Sequence, residues 1–366
     1  MGKLRAIIQS LGLLLIPLME ASSCEVKSDL LRKLEINGAL SGYFITGKKV
    51  AEDARRTRTD ISSGLVSISK KAEPIGFVLT RGVYATPVIG IDHLKTADYT
   101  ELFSPFPIAY FEINPVKNLS LMIGRMGTLV GFEAPFTYQN NYIQRGLVWN
   151  MQPLLHYGVR LSYSFEKISI KLGLTDGYYS MGVDSFKSSG KEVRETSLAL
   201  EGSFSYALSS NLSIAFNYLI PEKDTKPNEA SNPANKRQYN LVASYTLGNL
   251  TEGLDLLYVD SPNSDKAQVL KRASAYGGAL HLALDRAPFK IAGRVEYVRD
   301  KNDKGDLDLL GIGEKNSSYT LTLSPGYYKD PLFVRIDLSY VKAKDPFTYN
   351  NKTSQSKFAL EVGFKF

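Results

Sequence analysis

From His156 to Phe165 apolar and polar side chains alternate without a break. Tyr157, Val159, Leu161, Tyr163 and Phe165 share one face, and His156, Gly158, Arg160, Ser162 and Ser164 share the other. Period-two alternation marks a strand whose two faces meet different surroundings. After Glu166-Lys167 the pattern resumes, with Ile168, Ile170, Leu172 and Leu174 set against Ser169, Lys171, Gly173 and Thr175. Two such runs joined by so short a link read as a hairpin. The chain ends the same way: Phe358, Leu360, Val362, Phe364 and Phe366 face one side, and Ala359, Glu361, Gly363 and Lys365 the other.

Followed along the chain, the pattern predicts strands at Lys33–Thr46, Asp60–Lys71, Pro74–Thr86, Phe106–Asn114, Asn118–Val130, Leu154–Phe165, Ile168–Tyr178 and Thr196–Leu208. It predicts further strands at Asn211–Pro221, Arg237–Gly248, Gly253–Ser261, Arg272–Leu284, Phe289–Arg299, Ser317–Tyr327, Pro331–Lys342 and Ser356–Phe366. That is about sixteen, an even number, and most reach the roughly 9–11 residues a tilted strand needs to cross a bilayer. The second and third strands alternate least cleanly. In the fifth, Arg125 shares a face with Leu119, Leu121 and Ile123, which predicts a bulge or a rim position there.

The connections alternate in length. Tight links such as Glu166-Lys167 and Ser209-Ser210 take turns with long polar segments: Gly47–Thr59, Pro87–Pro105, Gly131–Pro153, Tyr179–Glu195, Glu222–Lys236, Pro262–Lys271, Asp300–Asn316 and Ala343–Gln355. A soluble sandwich has no reason for that regularity. The expected fold is all-β: a transmembrane antiparallel up-and-down barrel with short periplasmic turns and long extracellular loops, closed by pairing the last strand to the first.

Composition agrees. The 366 residues include 22 Tyr, 17 Phe, 29 Gly and one Trp. Mean hydropathy is −0.15, as it is when only alternate residues of each strand are apolar. At the front, Lys3 and Arg5 precede the apolar run Leu11–Met19 and then the small residues Ala21, Ser22 and Ser23. This is the layout of a secretory signal, too short to span a membrane as a helix. Residues 1–23 are therefore expected as a signal peptide, 24–32 as a short periplasmic leader and 33–366 as the barrel. Cys24 would be the lipidation point of a lipoprotein, but such signals favour a bulky aliphatic where Ala21 stands. One cysteine excludes a disulfide within the chain. The formal net charge of +7 is scattered, with no dense basic block, so nucleic acid is not an expected partner.

The stretch from Arg125 to Tyr178 resembles the OmpL-like β-barrel porin family of Gram-negative bacteria. The residues that carry it are Arg125-Met-Gly-Thr-Leu-Val-Gly-Phe-Glu133, Asn141-Tyr-Ile-Gln-Arg-Gly-Leu147, Pro153-Leu-Leu-His-Tyr-Gly158 and Leu172-Gly-Leu-Thr-Asp-Gly177. The resemblance implies an outer-membrane channel without a cofactor and without a catalytic set.

Charged residues on the inward faces are the candidates for function. A charge facing lipid at mid-depth costs about 2–4 kcal/mol for Arg or Lys, so these should turn to the lumen. His156, Arg160, Lys171, Glu201, Asp255, Lys290, Arg294, Glu296, Arg335 and Asp337 are the expected pore-lining residues, either paired across strands or facing water. Tyr43, Phe111, Tyr163, Phe165, Tyr206, Tyr218, Tyr245, Tyr258, Tyr297, Tyr340 and Phe364 are candidates for interfacial girdles. Gly131–Pro153 is the longest connection and carries Phe132, Phe136, Tyr138, Tyr142 and Trp149. It either folds inward, with Glu133 and Arg145 opposed across a constriction, or Gly146–Met151 extends the sixth strand above the membrane.

His93, His156 and His281 fall on distant segments, and no metal spacing, phosphate loop or nucleophile elbow is present. The expected function is passive diffusion of small polar solutes or ions, with outer-membrane lipid as surroundings and a homotrimer as one assembly open to it. The rival readings are an outer-membrane enzyme and a structural or adhesive barrel without an open channel.

Overall fold

The computed structural model describes residues 33–366 except 53, 177–186, 189–190, 193–197, 225–234 and 303–306. The expected signal peptide and leader, and parts of the loops that follow Tyr178, Pro221 and Asp300, lie outside the described residues.

Sixteen strands form one closed barrel. They are β1 Leu34–Gly47, β2 Thr57–Lys70, β3 Ile75–Tyr84, β4 Ile108–Val116, β5 Leu119–Gly127, β6 Leu155–Phe165, β7 Ile168–Thr175 and β8 Ala199–Ala207. The second half comprises β9 Leu212–Pro221, β10 Arg237–Leu247, β11 Leu250–Ser261, β12 Ala273–Arg286, β13 Phe289–Asp300, β14 Ser317–Lys329, β15 Leu332–Ala343 and β16 Ser354–Lys365. Each strand neighbours the next in sequence, and β16 returns to β1, with Leu40 opposite Phe364 and Tyr43 opposite Glu361. The final residue completes the seam: the Gly38 amide donates to the Phe366 carbonyl at 2.8 Å, and the Phe366 amide to the Gly38 carbonyl at 3.1 Å.

Loop lengths alternate as the sequence predicts. The links at 71–74, 117–118, 166–167, 208–211, 248–249, 287–288 and 330–331 are short, and those at 48–56, 85–107, 128–154, 176–198, 222–236, 262–272, 301–316 and 344–353 are long. Glu166 takes φ +47°, the left-handed geometry that lets a two-residue turn close the β6–β7 hairpin.

The barrel is apolar outside and polar inside, the reverse of a soluble domain. On β14, Tyr319, Leu321 and Leu323 are exposed on the outer face, while Ser318, Thr320, Thr322 and Ser324 are buried within. The same holds around the wall: Leu280 and Val295 are exposed, and Arg294 and Glu296 are buried. Such an outer face is stable only against hydrocarbon, because in water it would form one continuous apolar patch.

Aromatic rings mark the rims of that apolar band. Toward the long loops, Tyr218, Tyr239, Tyr258 and Tyr276 lie in direct cross-strand register on β9–β12. Tyr297 and Tyr319 continue the row on β13 and β14, with ring centroids 4.8 Å apart. Toward the short turns, Phe289 packs edge-on against Tyr327 at 5.5 Å, beside strand ends carrying Phe364 and Phe366. The expected girdle residue Tyr43 is the exception. Its side chain is buried inside the barrel in a cluster with Ile45, Ala85, Ile143 and Ala359. β1 has an apolar residue at inner positions because an inward loop covers them there.

Arg125 also finds a special position. Gly124 before it has φ +135°, and a Cβ at Gly124 would lie 2.3 Å from the Ala109 carbonyl oxygen. Only glycine suits that kink. The Arg125 guanidinium lies 5.1 Å from the Tyr157 ring centre and donates to the Phe106 carbonyl at 3.3 Å. The alternation thus breaks near the long-loop end of β5.

A short helix, α1 Thr96–Phe103, interrupts the second long loop. Its Tyr99 and Phe103 pack at the rim against Tyr84 and Val88. The Thr96 amide donates to Asp60 at 2.9 Å, fixing the helix to β2. No helix among the described residues is long and apolar enough to cross a membrane.

In lipid every backbone group must be paired, and a closed barrel leaves no edge from which detergent can begin to unpeel it. Unheated protein in SDS should therefore migrate differently from boiled protein. Identical migration, together with helix-dominated circular dichroism, would overturn the architecture.

Candidate functional site: a loop wired into the lumen

The segment between β5 and β6, residues 128–154, turns into the barrel. Gly146–Met151 does not extend β6: residues Leu147–Asn150 form a single helical turn, α2. Leu147, Val148, Trp149 and Met151 join Val130, Phe136 and Leu154 in one buried cluster with wall residues of β11–β13. The aromatic content explains the preference, since these rings gain more by packing against the wall than by standing in water.

The wall charges expected to line a pore are what hold this loop. Glu296 on β13 accepts the Leu147 and Val148 amides at 3.2 and 3.1 Å, a hydrogen bond from Thr320 at 2.5 Å, and an ion pair from Arg294 at 3.4 Å. One Asp337 oxygen on β15 accepts the Ile143 and Gln144 amides at 2.8 and 2.9 Å. Asp255 on β11 accepts the Phe132 amide at 3.1 Å, the Gln152 side chain at 2.9 Å and Asn240 at 2.6 Å. Arg335 on β15 pairs with Glu361 and donates to the loop carbonyls of Thr137, at 2.8 Å, and Asn140. An isolated buried charge costs several kcal/mol. Here nearly every such charge meets either an opposite charge or a loop backbone group, each contact contributing about 1.5–3 kcal/mol.

Glu133 and Arg145 are both on the loop, but they do not face one another across a passage. Glu133 pairs with Arg294 at 2.8 Å and accepts the Gly146 amide at 3.2 Å. Arg145 is fully buried, with its guanidinium 5.6 Å from the Trp149 ring centre and a hydrogen bond to the Pro135 carbonyl at 3.4 Å. Burial draws Arg145 down to about 10, which leaves it cationic at neutral pH.

The other candidates lie away from this core. Arg160 on β6 and Glu201 on β8 form a buried bidentate pair at 2.7 and 3.0 Å that spans β7. Gly173 between them is needed for space, since a Cβ there would sit 2.4 Å from Glu201 Oε1. Lys171 faces the lumen half-buried beside that pair. His156 is buried opposite Met126. Lys290 lies toward the short turns, 3.9 Å from Asp285. The three histidines have unrelated surroundings. His281, for example, stacks against Phe132 at 4.5 Å. No cluster of His, Cys, Asp and Glu among the described residues could hold a metal.

Two contributors carried no sequence signal. Asn240 and Gln152 complete the Asp255 network, yet an inward amide reads like any other polar lumen residue. Gly146 could have been flagged only from the fold: a Cβ there would lie 2.0 Å from Glu296 Oε1.

A closed antiparallel sixteen-strand barrel, apolar outside and carrying an inward loop bound to wall charges, is an outer-membrane barrel of the porin type. The chain belongs to the family described as "Putative beta-barrel porin-2, OmpL-like", whose model matches residues 33–366. No curated protein matches the sequence. Among solved structures, outer-membrane expressed OmpT of Vibrio cholerae is similar at 10% identity and a TM-score of 0.59, covering 91% of this chain and 97% of that one. OprB of Pseudomonas putida is similar at 14% identity and a TM-score of 0.59, covering 93% and 96%. A trimer form of the Vibrio cholerae OmpT has 12% identity, a TM-score of 0.55 and coverage of 91% and 99%. At such identities the likeness concerns the fold.

If the wall carboxylates hold the loop, removing one should free it without opening the barrel. Glu296→Ala leaves Arg294 and two amides short of a partner, a loss of about 3–5 kcal/mol. Limited proteolysis of this variant should cut within residues 131–153 while the folded form keeps its heat-dependent gel shift. Lys290→Gln should leave cleavage as in the wild type. A Glu296→Ala loop as resistant as the parent's would show that this anchor is dispensable.

Proposed function

We propose that the protein is a restricted diffusion channel of the outer membrane, passing small polar solutes or ions through a lumen narrowed by residues 128–154. The single observation that carries this reading is the fully buried state of the wall charges Arg294, Glu296, Arg335 and Asp337, each bound to the loop or to a neighbouring charge. In a wide pore these groups would face water. The solute path therefore passes beside a fixed loop, along walls carrying Lys171, Glu112, Ser164, Ser169 and Ser205, which are less deeply buried. The short turns would face the periplasm and the long loops the outside, and homotrimers are an assembly compatible with this fold.

A second reading draws on the same dryness. A loop wired so firmly can close the barrel, leaving a structural element without conduction. Planar-bilayer recording separates the two. The channel reading expects small, stable single-channel steps from the wild type and larger ones after deletion of Thr137–Tyr142. A silent wild type whose loop deletion conducts would support the closed barrel, and silence of both would remove the channel reading.

Orientation has its own test. A cysteine at Asn350, in the exposed 344–353 loop, should label with an impermeant maleimide in intact cells, and one at Ser210, in the β8–β9 turn, should not. Both measurements are made in a Cys24→Ser background. The opposite labelling would invert the topology.

A further inference from the structure

A small cavity opens at the long-loop end of the β1–β16 seam. It is lined by Lys48, Arg55, Arg56 and Arg58 from the first long loop and the start of β2, Asp92 and His93 from the second, and Lys357 from the inner face of β16. Nothing in the loop-anchoring network uses these residues.

The hydrogen-bonding inventory of the cavity is one-sided. Asp92 is its only carboxylate among the described residues, and both of its oxygens are engaged by the loop itself: Oδ1 accepts the Val50 amide at 3.3 Å and Oδ2 the Ala51 amide at 2.8 Å. Lys357 Nζ donates to the Ile91 carbonyl at 2.8 Å and lies 3.2 Å from His93 Nε2. Burial, with Lys357 and Arg58 adding to it, holds His93 well below the usual imidazole range, so the ring is neutral at physiological pH. With Nε2 accepting from Lys357, the ring proton sits on Nδ1, a buried donor that has no protein acceptor. Arg55, Arg56 and Arg58 form no ion pair among the described residues. The walls therefore offer donors and positive charge, and almost no free acceptor.

Such a site is satisfied by a compact ligand made of acceptors. Guanidinium groups present paired N–H donors in a planar fork that matches oxyanion geometry. The narrow space suits a group of a few heavy atoms. We propose that this cavity binds a small oxyanion of the phosphate class at the outer mouth of the barrel. This deepens the channel reading, since Lys357 faces the lumen and an anion held here stands at the start of the solute path. Phosphate groups also occur on membrane lipids, but the inward aspect of Lys357 and Ile45 favours a free solute over a headgroup outside the wall.

Direct binding tests the site without relying on conduction. Full-length protein refolded in neutral detergent is titrated with inorganic phosphate by calorimetry at fixed ionic strength. Wild type should bind, and the double variant Arg56→Gln/Arg58→Gln should bind about tenfold more weakly or not at all, while keeping the heat-dependent gel shift. Lys357→Met should weaken binding by a similar factor. Lys301→Gln, on another part of the rim, changes charge without touching the cavity and should bind as the wild type does. Adding short-chain phosphatidic acid micelles should not compete, whereas competition would assign the site to a lipid headgroup. Absence of binding, or equal weakening by Lys301→Gln, would overturn the proposal. Binding by a barrel that proves silent in bilayers would sustain the site and refute only the channel reading.

Discussion

Hydrocarbon cannot hydrogen-bond a peptide group, and the rest of this structure follows from that constraint. Each spanning strand must have two neighbours, so the sheet must close, and β1 must find β16 across the whole length of the chain. The seam places Leu40 beside Phe364 and Tyr43 beside Glu361, and with it the inside and outside of all sixteen strands are fixed. A slip of one residue would turn Glu361 and Lys365 to lipid, and Phe364 and Val362 to the lumen. The alternation of side chains is therefore held by the energy of charges kept out of the bilayer.

Sending charges inward solves the lipid problem and creates another. A lumen crowded by rings and aliphatic groups is no substitute for water, so Arg294, Glu296, Arg335 and Asp337 need partners of their own. The inward loop supplies them as backbone amides and carbonyls, and the wall supplies the rest as ion pairs. In return the loop satisfies polar groups that it would otherwise have to bury unpaired. Neither arrangement is stable alone, which is why the aromatic residues of the loop and the charges of the wall are best regarded as one unit.

Period two made the strands, the order of the barrel and the inward charges legible, because each depends on a residue's own parity. What parity could not convey is what stands opposite an inward face. Tyr43 falls on the inner face of β1, yet its sequence position also suits an interfacial ring, since tyrosine in a strand serves either purpose. Only the arrival of Ile143 inside the barrel makes it a core residue. Likewise Glu133 and Arg145 are opposite charges on one aromatic loop, and one of the two readings of that loop sets them against each other across a constriction. Glu133 instead reaches Arg294, 161 residues away, a distance along the chain at which no local pattern operates. α1 is hidden from the sequence for a related reason: eight residues are too few to establish a helical period, and the helix is fixed by Asp60 of another element.

In the proposed channel, the same wiring bears on how solutes would be discriminated. A mobile constriction selects by the time it spends open, whereas one held by charge-assisted bonds selects by fixed shape and potential. The buried network around Glu296 sets Arg294 against Glu133 and Glu296, and Arg335 against Glu361, while Asp337 and Asp255 are held by loop amides. Positive charge without an ion pair among the described residues lies in the arginine-rich seam at the mouth and in the half-buried Lys171 and Lys365 farther down. The buried charges thus keep the loop in place, and in the proposed channel it is these less buried cations that would act on what passes.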